Sequence, residues 1–544
     1  MVANSVWDNN NCGKIMNEAL VYIDKSTCYD YPKSPFNPPR RYPELSQLDL
    51  EIENDPNNEV YDQVRTVLME LGLDKENQGT KHWRPFKDLI KPGQHAILKP
   101  NFVKGKHPLG EIGSQSMITH ASLMRPIIDY LLISTNGNCE ITICDVPLQS
   151  SVWSEILKHS QTDKLVKFYK SKNVKINLLD LRREISHFNK EMVIDKRDFA
   201  DRDPRGYAIV DMGNKSALMP VIKEYKKFMI TDYDKGTVSS RHNEEKNEYY
   251  ICKTILDADL FINLPKLKTH RKAGLTVAGK NLIGMNGDKR WIAHHREGSL
   301  KFGGDEFPRY KLKDWFEFRL FSFLKRHDTW GVWLATKIRK YHRMAYNIKN
   351  HIKQRWLKKK QPADKSENSR KGEENEYFVS FAEFKEQFPN ASLQVYEELN
   401  PKRPRYLEGS WYGNDTIWRT ISDLNYIIFY ADKEGKLQES PQRNYFCLVD
   451  GILAGDKEGP MEHTPKKAGV ILGGFHPLAI DFASAWIMGF DYQKIPAIRE
   501  ILKNPKVNFP GLSHKNIQIK SNVDIERTNL KFRPTINWYR HIER

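Results

Sequence analysis

Two segments of the chain carry residue types expected at a binding or catalytic site, and the first of them is cationic and rich in glycine. Residues 263–291 read NLPKLKTHRKAGLTVAGKNLIGMNGDKRW. A strand that passes through a loop into a helix offers free backbone N–H groups and the positive end of a helix dipole, which favour an anion. The segment therefore predicts an anion-binding site built from Lys266, Lys268, Lys280 and Asn281. It matches neither the P-loop nor the G-x-G-x-x-G pattern, and a solvated basic loop is the alternative.

The second segment, residues 450–476, begins with an acid at the end of a predicted strand. Asp450 is followed by Gly451, Gly455 and Gly459, which predict a tight loop. An acid in this position is a common general base, and Asp145 ends another predicted strand in the same way. The alternative for both is a carboxylate that caps a turn. His270, in the first segment, is the third candidate for acid–base chemistry.

Three residues outside these segments complete the predicted substrate-binding set. Arg419, on a helix predicted within 411–430, has a guanidinium that suits a bidentate contact to phosphate or carboxylate, although a structural salt bridge is equally consistent. Lys99 and Asn101 follow a predicted strand at 95–98. His294 and His295 with a carboxylate are a conceivable metal set. Their spacing fits no standard site and adjacent histidines point apart, so no metal ligands are assigned.

Short apolar runs and helical patterns predict the strands and helices that position these residues. Strands are predicted at 19–23, 95–98, 140–144, 249–256, 259–264, 445–449 and 469–472, and helices at 60–73, 119–132, 411–430 and 477–489. Their order predicts an α/β fold with a mixed or parallel sheet core in two lobes, and functional groups at the carboxyl ends of the strands. The predicted domains are 1–90, an extension with the start of the core; 91–308, the first part of the core; 309–377, a basic aromatic helical insertion and linker; and 378–544, the second part of the core and a tail.

The insertion holds most of the net charge of +17. Residues 309–360 contain 16 Lys or Arg against Asp314, Glu317 and Asp328, an excess of 13 positive charges. Apolar residues recur there at spacings of three and four, which indicates a cationic amphipathic helix that suits an anionic membrane surface. A helix packed on its own core is the alternative. Nucleic acid is disfavoured as a partner, because no reader motif accompanies the charge.

Cysteine usage and hydropathy bear on the setting of the protein. The six cysteines form no C-x-x-C pair, so neither a zinc ribbon nor a cysteine-ligated iron–sulfur cluster is indicated. No run approaches 18 apolar residues, and no secretory leader is predicted. We expect a reduced, cytoplasmic setting, with the insertion allowing peripheral association at the inner face of the membrane.

Several of these motifs together resemble a known family. They are LKPNFV at 98–103, the strand end at Asp145, LPKLKTH at 264–270, GKNLIGMNGDKRW at 279–291, and DGILAGDKEGP at 450–460 followed by GVILGG. In this order they resemble the family catalogued as domain of unknown function 362, over about 90–300 and 410–505. The resemblance implies a cytoplasmic bacterial or archaeal α/β protein and no settled reaction. Many relatives carry a ferredoxin-like cysteine cluster, which this chain lacks.

The sequence thus favours an enzyme acting on a phosphorylated or carboxylated small molecule. Surface-glycan or lipid-linked intermediates at the cytoplasmic membrane face are one class of substrate compatible with the insertion. A non-catalytic membrane-associated scaffold, or a redox protein with a cofactor that cysteines do not ligate, are the alternatives. The sequence names no cofactor.

Overall fold

The computed structural model of the chain describes residues 19–48, 53–190, 194–231, 235–309, 333–334, 336–338, 340–341, 344, 379–404, 406–503 and 512–544. The chain divides into two compact units. The first comprises 1–183, 201–308 and 391–544, and the second comprises 184–200 and 309–390. All of the predicted site residues belong to the first unit.

The strands of the first unit are β1 (Leu20–Lys25), β2 (His95–Pro100), β3 (Glu140–Asp145), β4 (Ile176–Asp180), β7 (Tyr207–Asp211), β8 (Phe228–Met229), β9 (Glu248–Cys252), β10 (Leu260–Leu264), β11 (Lys266–His270), β12 (Gly274–Thr276), β13 (His295–Arg296), β14 (Asn444–Glu458), β15 (Glu462–Gly474) and β16 (Gln518–Ser521). Those of the second unit are β5 (Glu184–Phe188) and β6 (Ile194–Phe199), an antiparallel pair.

Helices alternate with these strands for most of the chain. In the first unit they are α1 (Glu59–Glu70), α2 (Gly110–Met117), α3 (Ala121–Ser134), α4 (Trp153–Ser160), α5 (Thr162–Ser171), α6 (Lys235–Arg241), α7 (Lys253–Leu256), α8 (Ala278–Asn281), α10 (Leu393–Leu399), α11 (Ile417–Tyr430), α12 (Pro477–Met488) and α13 (Pro496–Lys503). The second unit contributes α9 (Phe381–Gln387), which opens with a capping box from Ser380 to Glu383.

The main sheet of the described residues has the order β16-β1-β15-β14-β10-β2-β3-β4. Each pair along this path is parallel except β1–β15 and β14–β15, so β15 is the one strand of the path that runs against the others. β11 extends the sheet by pairing with β14 and β12. The predicted α/β fold with a mixed sheet is therefore confirmed.

Alternation along the strands buries both faces of this sheet. In β10, Phe261 packs into one hydrophobic core, while Leu260 and Ile262 pack into another. The first core includes α11 and α12, and the second includes α1 and α3. Strands covered on both faces read as continuous apolar runs, which explains why short runs in the sequence predicted them. The carboxyl ends of β2, β3, β10 and the first part of β14 consequently meet at one edge.

Three local predictions are wrong. The predicted strand at 445–449 continues through the glycines to Glu458, so 451–458 is a strand and not a tight loop. Residues 266–270, expected in the loop that follows the predicted strand at 259–264, form the strand β11. The strand predicted at 249–256 ends at Cys252, and its last four residues form α7.

Within the described part of the chain, no helix has the length and apolarity needed to cross a membrane. The predicted amphipathic helix of 309–360 lies almost entirely outside the described residues.

Candidate functional site

The two segments singled out in the sequence meet at the carboxyl edge of the sheet. β11 pairs in parallel with β14, which places Lys266 opposite Asp450 and Lys268 opposite Gly455. A Cβ atom at Gly455 would lie 2.8 Å from the Cβ of Lys268, so the strands approach closely there because this residue is glycine. Residues 184 positions apart in the chain, Lys266 and Asp450, thereby become direct neighbours.

Lys266 and Asp450 form a buried ion pair. Lys266 Nζ lies 2.9 Å from Asp450 Oδ2, and neither side chain is exposed. The hydroxyl of Tyr31 donates to Asp450 Oδ1 (2.7 Å) and accepts from Lys266 Nζ (2.5 Å), and the backbone N–H of His120 donates to Asp450 Oδ2 (3.0 Å). Both carboxylate oxygens are thus engaged inside the protein. Asp450, predicted as an acid or base, and Lys266, predicted as a substrate contact, are therefore paired with each other in this structure.

A second pair closes the ends of β2 and β3. Lys99 Nζ lies 2.7 Å from Asp145 Oδ1, and both side chains are buried. Asp145 also accepts the backbone N–H groups of Phe102 (2.7 Å) and Val146 (2.8 Å), so this carboxylate caps backbone groups, as the turn-capping alternative anticipated. A Cβ atom at Gly284 would lie 2.1 Å from Asp145 Oδ1, which requires glycine at that position.

Asn281 connects this pair to the cationic segment. Its Oδ1 accepts from Asn101 Nδ2 (3.0 Å) and Lys99 Nζ (3.3 Å), and its Nδ2 donates to Asn263 Oδ1 (2.7 Å). Four predicted substrate-binding or catalytic residues, Lys99, Asn101, Asp145 and Asn281, therefore form one hydrogen-bonded network. Their mutual contacts hold them together at the edge of the sheet.

Three lysines at this edge have no carboxylate partner among the described residues. Lys268 Nζ donates to the carbonyl of Met117 (2.6 Å), Lys289 Nζ donates to that of Ile283 (2.7 Å), and Lys280 Nζ has no acceptor within the part of the chain that the structure describes. Burial and the charge of Lys280 hold the pKa of Lys268 well below its usual range. Burial lowers the pKa of both Lys280 and Lys289 to about 7, and neighbouring lysines contribute to each shift. We call Lys268, Lys280 and Lys289 the uncompensated lysines.

His270 lies beside them at the end of β11. Its Nδ1 accepts from the backbone N–H groups of Lys272 (3.0 Å) and Ala273 (3.2 Å), which leaves the ring proton of the neutral imidazole on Nε2. Burial, followed by the charge of Lys280, holds the pKa of His270 well below its ordinary value. His270 is thus a neutral hydrogen-bond donor at Nε2.

Comparison with known proteins agrees with the motifs at this site. The family model described as Domain of unknown function (DUF362) matches residues 204–486, slightly more than half of the chain. The chain belongs to the DUF362 family. The match includes the uncompensated lysines, His270 and Asp450, whereas Lys99 and Asp145 precede it.

Other comparisons add little. No curated protein matches the sequence. A structural-genomics crystal structure of a Thermotoga maritima protein is similar over 42% of this chain and 38% of its own, with 13% sequence identity and a TM-score of 0.23. The chain thus spans well under half the length of that protein.

Arg419 of this DUF362 protein does not join the cluster. Its guanidinium pairs with Asp415 (3.0 Å), one turn earlier, and donates to the carbonyl of Ala217 (2.8 Å). These contacts correspond to the structural salt bridge that the sequence left open, so the prediction that Arg419 holds substrate finds no support in the geometry. His294 donates its backbone N–H to Met229 O, and the described residues contain no group of three or more His, Cys, Asp or Glu placed to hold a metal.

Sequence reasoning missed Tyr31, His120 and Asp481. Tyr31 stacks on His120 with ring centroids 4.1 Å apart and completes the Lys266–Asp450 pair. Asp481 lies inside α12, where its Oδ2 accepts the backbone N–H of Gly279 (3.1 Å) at the start of α8. Burial raises the pKa of Asp481 to about 7. An acid within the apolar sequence of α12 was the available signal for Asp481, because such a carboxyl group must find a buried partner.

The C-terminal segment of this family member covers the cationic loop after β11. Trp538 is buried, donates from Nε1 to the carbonyl of Arg271 (2.7 Å) and lies against Gly274. Arg533 pairs with Asp456 on β14 (2.6 Å). The contacts of Trp538 fix the loop that carries Lys272, whose Nζ donates to Thr231 Oγ1 (3.2 Å).

Two clefts of similar size open on the first unit. One, of about 670 Å³, is lined by Tyr31, Pro32, Lys33, Ser34, Glu111, Gln115, Gln161, Lys164 and Lys167. The other, of about 620 Å³, lies at the opposite edge of the sheet, where His95 and Glu140 begin β2 and β3. Of these two, the first adjoins the candidate site, since Tyr31 lines it and contacts Lys266 and Asp450 through its hydroxyl.

Proposed function

We propose that this protein is an enzyme that acts on a small anionic metabolite, bound through a phosphate or carboxylate group at the uncompensated lysines. The observation that carries the proposal is the unequal charge at the carboxyl edge of the sheet. Lys99 and Lys266 each have a carboxylate within 2.9 Å, whereas Lys268, Lys280 and Lys289 have none among the described residues. An anionic ligand would supply the missing negative charge.

The physical reason is the cost of keeping ammonium groups out of water without a counterion. Each unit by which a lysine pKa falls corresponds to about 1.4 kcal/mol of lost preference for the charged form. Bringing an anion into the cluster returns the lysines to their charged forms, so binding is coupled to proton uptake. Charge-assisted hydrogen bonds of this kind are roughly twice as strong as neutral ones.

Proton transfer is the chemistry that these groups favour. Lys280 and Lys289 each have a pKa of about 7, which places both protonation states within reach near neutral pH. His270 supplies a neutral donor at Nε2. Asp450 and Asp145 fix Lys266 and Lys99, so their contribution to the reaction is to position neighbours.

Ligand-induced thermal stabilisation tests the proposal. Inorganic pyrophosphate, phosphate and citrate are titrated against the full chain and against a variant carrying Lys268→Ala and Lys280→Ala. A ligand at 100 times its Kd stabilises the folded state by about 2.7 kcal/mol, and the variant should lose this effect. Lys170→Ala is the matched control, because Lys170 is an exposed lysine on α5. Equal stabilisation of the double variant and the wild type would refute binding at the lysines.

The sequence also supports a proposal about where in the cell the protein acts. The excess of 13 positive charges in 309–360 supports attachment to the cytoplasmic face of an anionic membrane. The substrate would then belong to surface-glycan or lipid-linked intermediate metabolism. Because this segment lies almost entirely outside the described residues, the support is its composition and its apolar spacing.

A further inference from the structure

Six lysines surround the carboxyl edge of the sheet, and one of them differs from the rest. Five donate a hydrogen bond or form an ion pair through Nζ: Lys99, Lys266, Lys268, Lys272 and Lys289. Lys280 is the exception, because its amine contacts no acceptor in the described part of the chain. Its side chain also keeps some exposure to solvent.

The backbone around this free amine is fixed on both sides. The N–H of Gly279, the preceding residue, donates to Asp481 Oδ2 (3.1 Å). A Cβ atom at Gly279 would lie 2.7 Å from that same oxygen, so this approach depends on glycine. The following residue, Asn281, is held by Asn263 and Asn101. A tethered backbone with an untethered side-chain terminus is what a covalent amine catalyst needs, because the reacting atom is placed while its lone pair stays available.

Burial and three neighbouring lysines keep the Lys280 amine largely neutral by lowering its pKa. Lys99 comes from β2, Lys272 from the loop after β11 and Lys289 from the turn after α8, and all three charges lower the pKa of Lys280, together with burial, to about 7. Lys268 and His270 lie beside it on β11. The carboxylates at this edge, Asp145 and Asp450, are occupied by other lysines.

We propose that Lys280 is a nucleophile that forms an imine with a substrate bearing both a carbonyl group and a phosphate or carboxylate. The inference rests on the proposed function, since the anionic group is what the tethered lysines would hold while the free amine reaches the carbonyl. It narrows the substrate class to 2-oxo acids and phosphorylated aldehydes or ketones.

The step balances without a cofactor. The neutral amine attacks the carbonyl carbon, a C–N bond forms, and the carbonyl oxygen leaves as water. Counted from the ammonium form, two protons of the nitrogen leave with that oxygen, and the imine keeps one proton and the positive charge. No electrons are gained or lost. The protonated imine withdraws electrons from the adjacent carbon, which favours proton removal or carbon–carbon cleavage there.

Pyridoxal 5′-phosphate is a suitable probe, because it is an aldehyde that carries a phosphate. The full chain is incubated with it below the concentration at which exposed lysines react, reduced with borohydride, and mapped by peptide mass spectrometry. We expect one equivalent of label on Lys280, with Lys170 as the internal exposed control. Pyridoxal, which lacks the phosphate, should label Lys280 at least about tenfold more slowly, as expected for the loss of a charge-assisted contact. Inorganic pyrophosphate should protect.

A conservative variant separates the nucleophile from the charge. Lys280→Arg keeps a cation but cannot form an imine, so it should retain stabilisation by pyrophosphate and lose the single label. Labelling of Lys170 and other exposed lysines as fast as Lys280 would overturn the inference, as would a single label that persists on another lysine in Lys280→Arg. In either case, preserved stabilisation by pyrophosphate leaves the proposed function standing.

Failure of the proposed function has a different signature. Equal labelling of Lys280 by pyridoxal and pyridoxal 5′-phosphate, with no stabilisation by pyrophosphate, would show that the amine reacts but that no anion site exists. That result would overturn the anionic substrate class and the proposed function together.

Discussion

Replacing Asp450 by Asn perturbs the buried pair at the junction of β11 and β14. Asparagine has the size of aspartate, and its Oδ1 can still accept from the Tyr31 hydroxyl, which donates to the carboxylate at 2.7 Å. The substitution therefore removes a charge while keeping much of the packing. Lys266, whose side chain is fully buried, is left as an ammonium without a counterion.

The expected cost follows from the proton that Lys266 must lose. An ordinary lysine has a pKa of 10.5. At about pH 7.5, removing that proton costs about 4 kcal/mol, at about 1.4 kcal/mol for each pH unit. This value agrees with the roughly 3–5 kcal/mol observed when one partner of a buried ion pair is removed. We expect Asp450→Asn to reduce the free energy of unfolding by about 4 kcal/mol.

The cost should depend on pH in a defined direction. In the folded variant Lys266 is neutral, whereas in the unfolded chain it keeps its proton until the pH approaches 10.5. The unfolded state thus binds one more proton, so the stability of the variant rises with pH. Between about pH 7.5 and pH 8.5, the deficit relative to the wild type should shrink by about 1.4 kcal/mol.

Urea unfolding followed by tryptophan fluorescence at these two pH values measures the deficit. The double variant Lys266→Met with Asp450→Asn is the control, because it has no ammonium to neutralise, and its deficit should be smaller and independent of pH. A deficit in Asp450→Asn below about 1 kcal/mol, or one that does not change with pH, would refute the reasoning, since Lys266 would then have another counterion or contact with water.

Three further outcomes are expected. Because burial raises the pKa of Asp481 to about 7 from 3.8, the wild type loses stability as pH rises from about 4 to 7. Asp481→Asn does not titrate, so the urea midpoint of the variant should rise relative to that of the wild type over this pH range. Midpoints of the two proteins that change in parallel with pH would contradict the assignment. Trp538→Ala should cost about 3–5 kcal/mol and weaken pyrophosphate binding measured by calorimetry, because Trp538 supports the loop of Lys272. An unchanged Kd for pyrophosphate would contradict a contribution of this loop to binding. In vesicle flotation, the full chain should bind membranes containing anionic lipid and lose that binding when 309–360 is deleted, whereas equal binding to neutral vesicles would contradict the electrostatic argument.

The sequence predicted the fold best where strands are covered on both faces. Runs such as that of β10 are continuously apolar, so their type and position could be predicted. β14 was misread, because Gly451 and Gly455 indicate a turn in isolation. In the structure Gly451 leaves room for Val470 and Gly455 leaves room for Lys268, so close packing against neighbours explains both glycines. That reason is invisible until the neighbours are known.

For the candidate site, the sequence indicated which residue types are present but not which of them pair with each other. The alternation of Lys266, Lys268 and His270 with Leu267 was a strand signal that the lysines obscured. Which lysine meets a carboxylate depends on the register between β11 and β14, which the sequence does not encode locally. The sequence therefore predicted that Asp450 lies at the site, but it could not show that Lys266 occupies this carboxylate and leaves Lys280 free.

One uninterrupted strand, β14, runs from the parallel sheet at Asn444 to the outer hairpin at Glu458. Lys266 and Lys268 lie two residues apart on β11, which pairs with β14, so the separation of these two lysines is set by the pitch of a strand and not by loop length. Insertions in surrounding loops would change access to the site while its internal dimensions stayed constant. Accommodating a ligand with a different spacing of charges would instead require a lysine at another position of β11, and a move by one residue would turn its side chain to the other face of the strand.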